Sequence, residues 1–89
     1  MTTDPRSYDR IRPQIRAALD RWAEKGGSTG SFIQAVLSNN LVDAVGRADD
    51  ENLVALPAIV AYVYNELPSE SWGSPSKVKS WYDDHMVNS

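Results

Sequence analysis

Cysteine is absent from this chain. That excludes disulfides and thiolate metal sites, and it fits a reducing compartment. Histidine occurs once, as His85, so any imidazole-based triad would have to be built around a residue at the very end of the chain. No uncharged apolar run approaches the roughly 18 residues of a membrane span. The opening residues, MTTDPRSYDR, also lack the basic start and apolar stretch of a signal peptide. The chain is therefore expected to be cytoplasmic, with no membrane partner. Alternating stretches long enough to read as strands are missing as well.

What remains is an ordinary globular composition, 42% apolar and 24% charged over 89 residues. Surface scaling allows such a chain one domain of roughly 5,200 Å² accessible area, with about 60 to 65% of the unfolded surface buried. The net charge of −3 is divided unevenly. Residues 1 to 25 carry six Arg or Lys against four acids, and residues 26 to 89 carry three against eight. The acidic part repels phosphate, so nucleic acid could be met only through the arginine-bearing first quarter.

Helix punctuation is dense. Apolar side chains at Tyr8, Ile11, Ile15, Ala18, Leu19 and Trp22 fall within an arc of about 100° on a helical wheel. Pro13 must kink that helix or mark its true start near Arg12, and Gly26-Gly27 ends it. Thr29 is the expected cap of a second helix with Phe32, Ala35, Val36 and Ile33 inward. Asn40, with Asp43 three residues on, resembles a capping box for a short third helix to about Ala48, using Leu41, Ala44 and Val45. Asp49 or Asp50 caps a fourth whose apolar positions Leu53, Leu56, Val60, Val63 and Leu67 step by three and four. Pro57 should bend it or mark its first turn, and Pro68 stops it. Ser74-Pro75 opens a fifth, with Val78, Trp81, Tyr82 and His85 on one side and Trp72 folding over Val78. The expectation is an all-α, compact single-domain bundle of about five helices around a central apolar helix near residues 50–67. Residues 1–4 and 87–89 are expected to be loose.

The fourth helix is the most informative segment, because NLVALPAIVAYVYN, residues 52–65, contains no charge and is apolar all round. Its neighbours cover it on several sides, or its second face, carrying Val54, Ala58, Ala61 and Tyr62, is an exposed partner interface. Those four residues are the candidate interface.

No constellation for catalysis follows from the rest. His85 reads as a surface or helix-terminus residue, Asp49-Asp50-Glu51 as capping and macrodipole pairing, and Asp83-Asp84 as a solvated face. Gly26, Gly27 and Gly30 lack the Lys-Ser/Thr that completes a phosphate loop. A helix-turn-helix across SFIQAVLSNNLVDAVGRADDEN would offer Asp43 and Arg47 to DNA and is followed by three acids. Neither a metal nor a cofactor is expected, and the chain reads as no enzyme. The alternative is a small-molecule or nucleotide binder with an aromatic cleft around Tyr62, Tyr64, Trp72 and Trp81.

The blocks GSFIQAVLSNNL, GRADDEN, IVAYVYNELP and WGSPSKVKSW resemble a family of small uncharacterised proteins carried by bacteriophages, prophages and plasmids. The resemblance covers roughly residues 8 to 82, with Asn40 where the family block has an aspartate; both residues cap helices. It implies a helical fold and a phage-encoded accessory protein that acts by binding a host or phage protein, or a second copy as a homodimer. It brings no functional residues with it.

Overall fold

The computed structural model describes residues 4–87. A 3-10 turn at Tyr8–Arg10 leads into α1 (Pro13–Lys25), α2 (Ser31–Leu37), α3 (Leu41–Arg47) and α4 (Asp50–Glu66). A second 3-10 turn at Ser69–Ser71 then leads into α5 (Pro75–Val87). Among the described residues there is no strand, and five helices enclose one apolar core, as the sequence led us to expect. The terminal residues 1–3 and 88–89 lie outside the described residues. Asp4 closes a turn by accepting the Ser7 N–H at 3.0 Å, and Val87 ends α5.

Each boundary has a local cause. Pro13 occupies the first position of α1, where its missing N–H costs nothing, so the chain before it forms a 3-10 turn and not a kinked helix. Gly26 caps α1 at φ 62°, a left-handed conformation that glycine adopts without strain. Asn40 Oδ1 accepts from the Asp43 N–H at 3.2 Å, and Asp49 Oδ1 from the Asn52 N–H at 2.8 Å. Ser74 Oγ accepts from the Lys77 N–H at 3.2 Å ahead of Pro75. The second helix departs from expectation: its cap position is Gly30, at φ 85°, and Thr29 makes only a 3.4 Å contact with the Gly30 carbonyl.

Trp22 organises the centre. Its ring is buried, its indole N–H donates to the Ser71 carbonyl at 2.9 Å, and its own carbonyl accepts from Trp81 Nε1 at 2.7 Å. One residue thereby ties α1 to the second 3-10 turn and to α5. Burying a side chain of that size contributes upwards of about 2 kcal/mol before entropy is counted. The Gly73 N–H donates to the Leu37 carbonyl at 2.7 Å, which fixes the entry to α5 against the end of α2. At Gly26 an added Cβ would lie 2.8 Å from His85 Cβ, so α5 crosses the end of α1 at a distance only glycine permits. Arg12 binds Asp49 at 2.8 Å and Glu51 at 3.1 Å, closing the start of α1 onto the start of α4.

Helix α4 supplies six buried positions: Asn52, Ala55, Ala58, Ile59, Tyr62 and Val63. At 100° per residue they span about 140° of the helix, and their centre is turned about 110° from the expected inward stripe of Leu53, Leu56, Val60, Val63 and Leu67. The two alanines explain the rotation. Small side chains let the neighbouring segments approach the α4 backbone, and the larger Leu53 and Val60 are left outside. Pro57 is also on the outer side, so the Leu53 carbonyl that it cannot satisfy faces water. The same inversion occurs in α3, where only Ala44 is buried and the expected core residues Leu41 and Val45 are exposed. The accessible surface is 5678 Å². That is several hundred Å² above the roughly 5,200 Å² expected for this mass.

Candidate functional site

The outward face of α4 carries Leu53, Pro57, Val60 and Tyr64 within an arc of about 60°. Exposure there is large for such residues: 44% at Leu53, 48% at Val60 and 71% at Tyr64. No charged residue interrupts the stripe between Asn52 and Asn65. Two concavities flank it. One, broad and open, is lined by Leu53, Pro57, Val60, Ala61 and Tyr64, with Arg6 and Tyr8 from the N-terminal turn on its wall. The other, of about 200 Å³, lies where Val60 and Tyr64 face Leu41, Ala44 and Trp72. Leu41, 67% exposed, extends the apolar surface onto α3. Tyr64 and Trp72 form a tilted ring pair at 5.8 Å. The Trp72 indole N–H is buried beside them and finds no hydrogen-bond partner among the described residues.

Of the interface residues expected from the sequence, only Ala61 borders this surface, on the wall of the broad concavity. Ala58 is 0% and Tyr62 7% exposed, Ala61 is half-buried, and Val54 alone of the four stands out from the fold. For Ala58 and Tyr62 the cause is the one given above: they pack where close approach is needed, so half of the face read as spare is turned to the core.

Tyr62 is held in a network instead. Its hydroxyl donates to Asp20 Oδ1 at 2.5 Å, and its ring meets Tyr8 edge to face at 4.9 Å. The Arg16 guanidinium lies 5.2 Å from that ring's centroid and 5.9 Å from the Tyr8 ring. The Tyr8 hydroxyl donates to Glu66 at 3.1 Å. Burial, and then the bond to Asp20, push the Tyr62 phenol above its usual range. Tyr62, and to a lesser degree Asp20 and Asp9, raise the Arg16 guanidinium above its usual value. The network locks the N-terminal turn and α1 onto the C-terminal half of α4, and so builds the wall of the broad concavity.

The aromatic cleft expected around Tyr62, Tyr64, Trp72 and Trp81 is likewise divided. Tyr62 is in the core, and Trp81 packs on His85 at 4.3 Å while bonding to the Trp22 carbonyl. Only Tyr64 and Trp72 share a pocket, and its 200 Å³ is smaller than the roughly 300 Å³ at which small-molecule sites begin. The arginines of the first quarter are also partly engaged, Arg12 with Asp49 and Glu51 and Arg16 with the tyrosines. A phosphate-facing surface is thereby reduced to Arg6, Arg10, Arg21 and Lys25.

His85 Nδ1 lies 2.8 Å from the Trp81 carbonyl. Asp49 is spent as a cap and partner of Arg12, which lowers its carboxyl below the ordinary carboxylate range. No three His, Asp or Glu side chains among the described residues converge as a metal site would require. Nor is any helix there long and apolar enough to cross a membrane. No protein-family profile, no curated protein and no solved structure matches the chain.

Leu41, Leu53 and Val60 escape the sequence reading because their helical spacing assigns them inward, and Tyr64 because it is assigned to the aromatic cleft. The signal that could have found them is the competing stripe Ala55, Ala58, Ile59 and Tyr62, which has the same three-four spacing and smaller members.

Proposed function

We propose that the protein is a non-enzymatic binding module that engages a protein partner through the outer face of α4 and its two flanking concavities. The observation that carries this reading is the uncharged stripe Leu53, Pro57, Val60 and Tyr64, left open to solvent by a chain that buries alanines in its place. A cytoplasmic domain of this size gains nothing in stability from exposing Tyr64 and Leu41, and contiguous exposed apolar surface of this kind marks interaction sites. The partner element that fits is an amphipathic helix laid along the stripe, with an anchor side chain in the pocket beside Trp72. The phage accessory role rests on the resemblance of the sequence blocks alone, and the binding reading does not depend on it.

Selection of helical peptides from a displayed library tests the reading. Peptides with an apolar i, i+3, i+4, i+7 pattern should be enriched, and should lose at least tenfold in affinity for Val60→Lys or Tyr64→Lys. Val54→Lys, on another side of α4, should bind them as the parent does. Enrichment of no peptide, or binding indifferent to Val60 and Tyr64, overturns the reading.

A further inference from the structure

The partner class can be narrowed, and the inference rests on the α4 reading just given. We propose that the occupant of the α4 face is a second copy of this chain, packed antiparallel across a twofold axis near Pro57 and Val60. The stripe is self-complementary in that arrangement: Leu53 meets Tyr64 of the partner, Pro57 meets Val60, and each contact occurs twice.

Charge selects the direction. Arg6 is on the wall of the broad concavity with Asp4; the concavity runs from Leu53 to Asn65, and Tyr8 of the same N-terminal segment bonds Glu66 at the C-terminal end of α4. Its described ion pair is a loose 3.9 Å contact with Asp4, both side chains being mostly exposed, and Asp4 Oδ1 is already held by the Arg6 N–H at 2.9 Å. At the other end, Asp50 is exposed and has no ion pair among the described residues, unlike its neighbours Asp49 and Glu51. Antiparallel packing brings Arg6 of each copy to Asp50 of the other. Parallel packing would set Arg6 against Arg6, Asp50 against Asp50, and the two helix dipoles side by side.

The area sets the strength. The exposed parts of Leu41, Leu53, Pro57, Val60 and Tyr64 amount to on the order of 500 Å² per copy. Two copies would bury about 1,000 to 1,200 Å², the lower edge of specific interfaces. That predicts a weak, reversible dimer.

Sedimentation velocity of the full chain between about 1 and 300 μM reads this directly. The expected result is a shift from the 9.9 kDa monomer to twice that mass. Val60→Lys should raise the dissociation constant at least tenfold, and Val54→Ser, which adds no charge beside Asp50, should leave it unchanged, circular dichroism confirming that both are folded. Arg6→Glu and Asp50→Arg should each weaken association severalfold, and the double variant should restore it. A monomer at every concentration, or a dimer indifferent to Val60→Lys, overturns the proposal; failure of the double variant to restore association overturns the antiparallel arrangement. If the chain remains monomeric yet binds selected peptides through Val60 and Tyr64, the second-copy inference falls and the binding reading stands. If both measurements are negative, both fall.

Discussion

Replacing Tyr62 by Phe removes one oxygen from the best-connected side chain of α4 and leaves its ring in place. The lost bond is the 2.5 Å donation to Asp20, an ionised acceptor, from a ring that is 7% exposed. Hydrogen bonds to charged groups contribute about 1.5 to 3 kcal/mol. Asp20 is exposed and regains water in the variant, so about 1 to 2 kcal/mol is the expected loss. For a domain of this length that lowers Tm by about 5 to 15 °C. Tyr8→Phe, whose 3.1 Å bond to Glu66 is exposed, should cost less than about 1 kcal/mol.

The pH dependence makes the test sharper. In the fold the Tyr62 phenol is raised above its ordinary value of 10.0. Its neutral form is therefore favoured by folding, and the stability it contributes is complete below pH 10 and is lost as pH rises through the raised value. Urea denaturation of parent and Tyr62→Phe between pH 8 and about pH 12 should show the two curves converging at the alkaline end. Equal stability at pH 7, or an alkaline decline unchanged by the substitution, would refute the assignment of Tyr62 as the anchor between α1 and α4.

Other outcomes follow from the same packing. Ala58→Leu forces three carbons into a site that is 0% exposed and should cost about 1 to 3 kcal/mol in thermal or urea unfolding. Val60→Lys, measured at concentrations that keep the chain monomeric, should stay within about 0.5 kcal/mol of the parent. Gly26→Ala places a side chain at φ 62° and against His85. It should cost at least about 1 kcal/mol and change Trp81 fluorescence as α5 shifts. Asp49 has its carboxyl lowered by the Asn52 N–H and by Arg12, so its contribution is present above 3.8 and is lost as pH falls through the lowered value. Asp49→Asn should flatten the acid limb of the stability profile.

The fold was legible where the chain carries punctuation whose physics is local. Pro13, Gly26, Asn40, Asp49 and Ser74-Pro75 each set a helix end through a missing N–H, a positive φ or a cap that involves only adjacent residues. Thr29 failed as a cap because Gly30, at φ 85°, already turns the chain into α2. Side-chain facing was not legible in α3 and α4. With residues 52–65 free of charge, no polar face tells water from core, and the three-four period fits two stripes equally well. The choice was made by tertiary packing, which buries Ala55 and Ala58, and no local rule contains that packing. The candidate interface was for this reason placed on the right helix and the wrong side. The chemistry of Tyr62, a bond across 42 positions to Asp20, was beyond pattern reading altogether.

The absence of native cysteine allows a direct test of which face of α4 is open. Single cysteines introduced by Ala55→Cys, Ala58→Cys, Val60→Cys and Tyr64→Cys can each be timed against a thiol reagent at low protein concentration. Labelling at 60 and 64 should proceed within about tenfold of the unfolded rate, and labelling at 55 and 58 at least about 100-fold more slowly, because those sites open only with the fold. Fast reaction at 58 with protection at 60 would place the apolar stripe inside and contradict the account.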